Sequence, residues 1–331
     1  MKDTIKKLVE AYGPSGREEQ MRALIREDIE GLADEIRVDA MGNLIALRHA
    51  RGGGNGRRIM LAAHMDEIGV IITHVDEKGF LRFSNVGGLY PPILIGGRVR
   101  FADGRIGVIG VERRDPDKQI GFEQLFIDIG AESREDCPVK VGDIAGFVRP
   151  MIEQGHRLIS KTMDDRIGCA VMIETMRRLQ DSPHEIAFVF STQEEVGTRG
   201  AQTSAWDVDP EIGIAIDVTG TGDTPKSRTM AVRLGAGPAI KVRDAGMLAH
   251  PGVKNWMADR AEEAGIPYQF EVLEGGSTDA RAIQLTRGGV AAGCLSIPCR
   301  YVHTPSEMVD YRDVEGAVQL LVAMLSKPAE L

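Results

Sequence analysis

Two adjacent carboxylates, Glu194 and Glu195, follow the apolar run Ile186-Ala187-Phe188-Val189-Phe190. The run reads as a buried strand, and open α/β sheets bind ligands just beyond the carboxyl ends of their strands. Neighbouring side chains on a strand face opposite ways. Both Glu therefore serve one site only if the chain turns here, and Val196-Gly197 permits that turn. Such a pair offers one Glu to a metal ion and the other as a proton carrier. Its ordinary alternative is a solvated acidic loop, because single carboxylates are mostly exposed.

Further groups of the same kind fall at other expected element ends. His64 and Asp66 follow Ile59-Met60-Leu61-Ala62-Ala63, and Asp164 and Asp165 precede a helix. Asp217 follows Ile212-Gly213-Ile214-Ala215-Ile216, and His303 lies beyond Gly293-Cys294-Leu295-Ser296-Ile297. Each has a plain structural explanation when taken alone. A strand-end His is commonly a hydrogen-bonded one, Asp164-Asp165 fits an N-cap with a dipole-matched charge, and Asp217 fits a loop turn. Their coincidence on one sheet edge points elsewhere. Buried charges that converge must pair or bind metal, since burying an isolated charge is costly. Two His and four or five carboxylates, with no Cys among them, suit two divalent ions such as Zn, Co or Mn.

The elements that must position these groups form two textures. A Ser15-x-x-Glu18 capping-box pattern predicts a helix over about 18–32, with Met21, Leu24, Ile25, Ile29 and Leu32 on one face. Asp39 to Asn43 reads as a turn between strands at 36–38 and 44–47, and Gly52-Gly53-Gly54-Asn55-Gly56 as a flexible loop. From about Gly69 to Arg149, short alternating apolar runs separated by Gly, Pro and Asp-Gly turns predict a small β-barrel or sandwich. Helices and single strands then alternate. Helices are expected at 165–179, 251–264, 278–285 and 312–325, with strands at 185–190, 211–216, 268–273 and 290–297. Alternation of this kind predicts an α/β domain, interrupted here by an all-β insertion. Gly275-Gly276-Ser277-Thr278-Asp279 is expected to line a substrate cleft at a helix N-terminus, or to be a plain capped turn.

Composition bounds the function classes. The chain has 331 residues, 43% hydrophobic and 5% aromatic, with a formal net charge of −9. It is long enough for one large or two ordinary domains with an aliphatic core. The negative balance without a long basic run argues against nucleic acid or an anionic membrane as partner. No apolar run approaches the roughly 20 residues of a membrane span, and the N-terminus has no signal-peptide h-region, so a cytoplasmic location is expected. Cys137, Cys169, Cys294 and Cys299 lack Cys-x-x-Cys spacing and are expected as free thiols.

Five segments together carry a resemblance. His64-Met65-Asp66-Glu67-Ile68-Gly69, Met163-Asp164-Asp165-Arg166-Ile167-Gly168, Gln193-Glu194-Glu195-Val196-Gly197, Ala215-Ile216-Asp217-Val218-Thr219 and Arg300-Tyr301-Val302-His303-Thr304-Pro305 stand in order along the chain. In these the sequence resembles the M42 family of metallo-aminopeptidases over nearly its whole length. Thr198 departs from the family pattern, which has an apolar residue there. The resemblance implies a zinc-peptidase-like α/β/α sandwich at 1–67 and 163–331, split by a barrel-like dimerisation domain at 68–162. It implies that His64, Asp164 and Asp217 hold one metal ion and Asp164, Glu195 and His303 the other, with Asp164 rather than Asp165 bridging. In related dinuclear peptidases the peptide after the bridging Asp is cis. Glu194 would be the general base, and Asp66 would hydrogen-bond the far nitrogen of His64. Peptides would be the substrates, a free amino terminus being held by a metal or a nearby carboxylate. Gly276 and Asp279 would contribute to substrate binding. Self-association into dimers and a dodecamer is also implied.

Three rivals are set against this reading. A glycoside hydrolase also uses two carboxylates, and some M42 members are labelled endoglucanases, but it needs neither two His nor a shared Asp, and this chain has only two Trp. A deacylase of small amides would use the same metals. A non-catalytic scaffold would not keep an intact set of ligands and base.

Overall fold

Four parallel strands form the centre of the larger sheet, and their shared direction brings the candidate groups together. The computed structural model describes residues 1–51, 53, 55–113 and 119–331; Gly52 and Gly54 of the expected glycine loop lie outside them. The chain opens with α1 (Lys2–Glu10), α2 (Glu19–Asp28), β1 (Glu35–Val38), β2 (Leu44–Arg48) and β3 (Arg58–His64). Strands β4 (Gly69–Val75), β5 (Leu81–Val86), β6 (Arg98–Phe101), β7 (Ile106–Val111), β8 (Leu125–Asp128) and β9 (Ile144–Phe147) then close an antiparallel barrel in the order β4-β5-β8-β7-β6-β9. Alternation explains its closure: Val99 and Phe101 of β6 and Ile109 of β7 point inward, while Ile106 and Val108 point out.

After the barrel come β10 (Ile152–Gln154), β11 (Arg157–Ser160), α3 (Met163–Arg178), β12 (Glu185–Ser191), α4 (Arg199–Val208) and β13 (Ile212–Thr219). The chain finishes with β14 (Ala239–Arg243), α5 (Pro251–Ala264), β15 (Gln269–Val272), α6 (Asp279–Gln284), β16 (Ala291–Arg300), β17 (Glu307–Asp310) and α7 (Tyr311–Leu325). The sheet runs β1-β2-β12-β3-β13-β16-β17-β11-β10, with β14 beside β16 and β15 beside β14. Strands β12, β3, β13 and β16 are mutually parallel. Their interiors are buried without a break, as suits strands covered on both faces. Helices α3, α5 and α7 share one continuous aliphatic core with them. The α/β fold with an inserted barrel is thus as expected.

Several local expectations change. Ser15 does not cap α2; its hydroxyl donates to Asp66 Oδ2 at 2.6 Å, and Glu18 is itself the N-cap residue without a side-chain cap bond. The pattern is overridden because a buried carboxylate competes for the hydroxyl. Helix α2 ends at Asp28, with Ile29 as its C-cap. Strands β10 and β11, counted with the insertion by the sequence, pair through β17 into the large sheet. Helix α4 forms where the sequence pattern predicts no element. All four cysteines are free. Among the described residues no helix is long and apolar enough to cross a membrane.

Candidate metal centre

Each candidate group sits where an apolar element stops. His64 is the last residue of β3, and Asp217 lies near the carboxyl end of β13. Glu194 and Glu195 follow β12 in a tight turn, in which the N–H groups of Gly197 and Thr198 donate to the Glu194 carbonyl at 2.8 and 2.9 Å. Gly197 takes φ +122° there, which its missing Cβ allows. Asp164 opens α3 in a non-helical conformation, and the Asp164–Asp165 peptide is cis. His303 lies in the loop after β16, at φ +62°.

Two triplets of ligand atoms result. One atom each from His64, Asp164 and Asp217 lie within 4.8 Å of one another, as do atoms from Asp164, Glu195 and His303. Asp164 is common to both. Its Oδ1 is 3.0 Å from His64 Nε2, and its Oδ2 is 3.3 Å from His303 Nε2. Glu195 Oε2 is 3.2 Å from His303 Nε2. Glu194 joins neither triplet, but its Oε2 is 3.9 Å from His64 Nε2. Asp165 points elsewhere, accepting from the backbone N–H of His64 at 3.2 Å and of Gly168 at 3.1 Å.

Asp66 stands behind the centre, fully buried, with Oδ1 3.4 Å from His64 Nδ1. It also accepts the backbone N–H groups of Glu194 at 3.0 Å and Glu195 at 3.2 Å. One carboxylate thereby fixes both the ring of His64 and the turn that presents the two Glu. Glu307 does the same on the other side. Its oxygens accept from the backbone N–H of Asp164 at 2.9 Å and of His303 at 2.8 Å. Sequence reasoning missed Glu307, because a lone Glu after Pro305-Ser306 has no local signature and acts on a residue far away in sequence.

The electrostatics test whether a cation fits. Burial, reinforced by mutual repulsion, pushes Asp217 and Glu194 well above the usual carboxylate range. Burial likewise raises Glu195, against the pull of His303. Burial opposes charge on His303 too, but hydrogen bonds to Asp164 and Glu195 outweigh it and raise the ring to about 12. The same two His hold Asp164 below its ordinary value although burial works the other way. Glu195 Oε1 is buried with no hydrogen-bond partner. A nest of buried carboxylates with an orphaned oxygen needs positive charge, and a nitrogen–oxygen donor set suits Zn, Co or Mn. The residues fit such ions.

A cleft of about 340 Å³ opens over this centre, lined by Asp164, Glu194, Glu195, Asp217 and His303 and also by Lys241, Leu273, Gly276, Ser277 and Thr278. Gly276 is on its wall. Asp279 is not; it is the buried first residue of α6 and accepts from the Ser191 hydroxyl beneath the cleft. Burial raises its carboxyl to about 6. Thr278 is the capping residue, so the glycine-rich segment is both a cleft wall and a capped turn. Lys241, also unforeseen, reaches the cleft while its Nζ pairs with buried Glu271 at 2.6 Å.

Comparison with known proteins settles the kinship. Residues 42–320 match the family model for M42 glutamyl aminopeptidase. The chain belongs to this family. M42 aminopeptidases are metal-dependent peptide hydrolases, and this member is 48% identical to a putative aminopeptidase from Acetivibrio thermocellus over 97% of both chains. An aminopeptidase structure from the archaeon Desulfurococcus kamchatkensis superposes with a TM-score of 0.93 at 41% identity, covering 98% of this chain and 94% of that one. The TET1 peptidase of Pyrococcus horikoshii, described as assembling into a tetrahedron or a large octahedral shell, superposes with a TM-score of 0.87 at 34% identity, covering 98% and 99%.

Proposed function

We propose that this M42 aminopeptidase removes single residues from free peptide N-termini with two divalent ions and Glu194 as general base. His64, Asp164 and Asp217 would hold one ion, and Asp164, Glu195 and His303 the other. The observation that carries the reading is the pair of ligand triplets sharing Asp164, with Glu194 beside them and in neither. Zn or Co would suit the donors best, with Mn a third choice. Bound there, such ions lower the pKa of water and polarise a scissile carbonyl.

The chain's own residues account for the rest. Glu194, attached to the same turn as Glu195, accepts the proton of the attacking water and hands it to the leaving amine. Burial raises the Glu194 carboxyl above its ordinary value, and its place beside the triplets without joining either leaves it free to take and return a proton. Asp66 keeps the Glu194 turn and the His64 ring in one register. The carboxylates lining the cleft hold the substrate's ammonium group, which restricts cleavage to the chain end.

The inserted barrel is proposed as the dimerisation module of a larger particle, with the α/β parts on either side forming the catalytic domain. Its support is the assembly described for the TET1 relative and the exposed Ile106, Val108 and Val141 outside the barrel.

A panel of aminoacyl reporters with Zn, Co and Mn supplied separately tests the reading. Hydrolysis should require a divalent ion, stop with chelator, and fail on N-acetylated peptides. Equal cleavage of the first peptide bond in acetylated and free peptides would remove the amine requirement, and release of acetate from the acetylated ones would mean a deacylase instead.

A further inference from the structure

A second groove adjoins the catalytic cleft. It has a volume of about 420 Å³, lies between α4 and α6, and shares Gly197, Thr198 and Arg281 with the cleft. Beyond that junction it is lined by Trp206 and Leu285, which are 58% and 69% exposed. Large apolar side chains left so open beside a reaction centre indicate a surface that something covers.

The two arginines of the groove differ. Arg287 is engaged: its guanidinium lies 4.6 Å from the centroid of the Trp206 ring, and Nε is 3.1 Å from Asp209 Oδ1. Arg281 is exposed and forms no ion pair among the described residues, although it stands at the mouth shared by both depressions. A guanidinium without a carboxylate, on a chain with net charge −9, is set to receive an anion from outside.

The aminopeptidase reading above fixes which part of a substrate can reach it, and the inference rests on that reading. Removing one N-terminal residue requires room for one side chain on the amine side of the scissile bond. Every other residue lies on the leaving side. A groove continuous with the cleft therefore takes leaving-side residues. We infer that the α4–α6 groove binds the leaving-side end of a short peptide, its free α-carboxylate on Arg281 and an apolar side chain against Trp206 and Leu285. The preferred substrates are thus short, free-acid peptides with an apolar residue after the cleaved bond.

Three substrates with the same first residue test this on the metal-loaded enzyme: an apolar tripeptide acid, its C-terminal amide, and an aminoacyl 4-nitroanilide that ends before the groove. The acid should exceed the amide in kcat/KM by about tenfold, the worth of a charge-assisted hydrogen bond, mainly through KM. Arg281→Met should bring that ratio close to one, and Arg281→Lys should restore part of it. Trp206→Ala should lower the tripeptide-to-anilide ratio severalfold. The ratios are internal references, so partial misfolding does not imitate the result. Acid and amide cut equally by the parent enzyme, or a preference retained by Arg281→Met, would overturn the inference. So would a Trp206→Ala enzyme with an unchanged ratio and altered particle size, which would assign the groove to subunit contact. Failure to cleave any of the three would instead sink the aminopeptidase reading.

Discussion

In the larger sheet, buried charge gathers where apolar strands stop; in the barrel, the interior is apolar and surplus apolar residues lie outside. Among the described residues from 69 to 147, no polar or charged side chain is buried, whereas His64, Asp66, Asp164, Asp165, Asp217 and Glu307 are all buried around the sheet. The barrel core of Val70, Ile72, Leu81, Phe83 and Ile127 is ordinary packing. The sheet edge combines like charges at a cost that only ions or strict pairing offset. The contrast separates a region of gathered buried charge from one of plain apolar packing. Two glycines of the barrel region come close to the centre. The loop after β5 lays Gly87 and Gly88 against the centre, so that a Cβ at Gly88 would fall 2.7 Å from His303 Nδ1 and one at Gly87 would fall 3.1 Å from Glu195 Oε2.

The contrast breaks most completely at its charged end. Asp164→Ala should reduce hydrolysis to background and leave the purified protein with neither ion by elemental analysis, whereas His303→Ala should weaken chiefly one. Two ions retained by Asp164→Ala would remove the shared-ligand role. Next in size is Glu307→Gln, which halves the acceptor capacity holding the backbones of Asp164 and His303. Outer groups of this kind typically carry about 10–100-fold in metal affinity or activity, so metal titration should show a loss in that range.

A smaller effect is expected at the contact between the regions. Gly88→Ala should press on His303 and raise the dissociation constant of the ion held by His303 and Glu195 severalfold, leaving the ion at His64 and Asp217 as tightly bound as before. Equal loss of both ions would indicate general disruption. The smallest catalytic effect belongs to the barrel exterior. Val108→Asp should reduce particle size in light scattering while reporter kcat stays at the parent value. Unchanged particle size would move the association surface elsewhere.

The same contrast explains what is legible in the sequence. Strands β3, β12 and β13 are long, unbroken apolar runs, so their ends, and His64, Glu194 and Asp217 with them, stand out in the residue pattern itself. The barrel is legible as texture because its strands alternate. Helix α4 is not, since Gly200, Ala201, Ser204 and Ala205 are its buried residues and give almost no apolar stripe. Strand β10 is exposed throughout and gains its place only by pairing with β11. Long-range partners are the other blind spot. Nothing local points to Glu307 or Lys241, and the local pattern at Ser15 points to a cap; their roles rest on contacts with Asp164, Glu271 and Asp66. Asp279 reads as a cleft residue by adjacency to Gly276, yet the first turn of α6 carries its side chain under the wall.

The central claim is that Glu194 moves the proton and Glu195 holds the metal, although they are neighbours on one turn. Glu194→Gln keeps size and hydrogen bonding but cannot accept a proton. Measured together, kcat on a free-amine reporter and metal content per chain decide the matter. The account predicts a fall in kcat of about 10²–10⁴ with both ions still bound, against joint loss of metal and activity in Glu195→Gln. A Glu194→Gln enzyme that keeps most of its kcat, or that loses its ions, would contradict it.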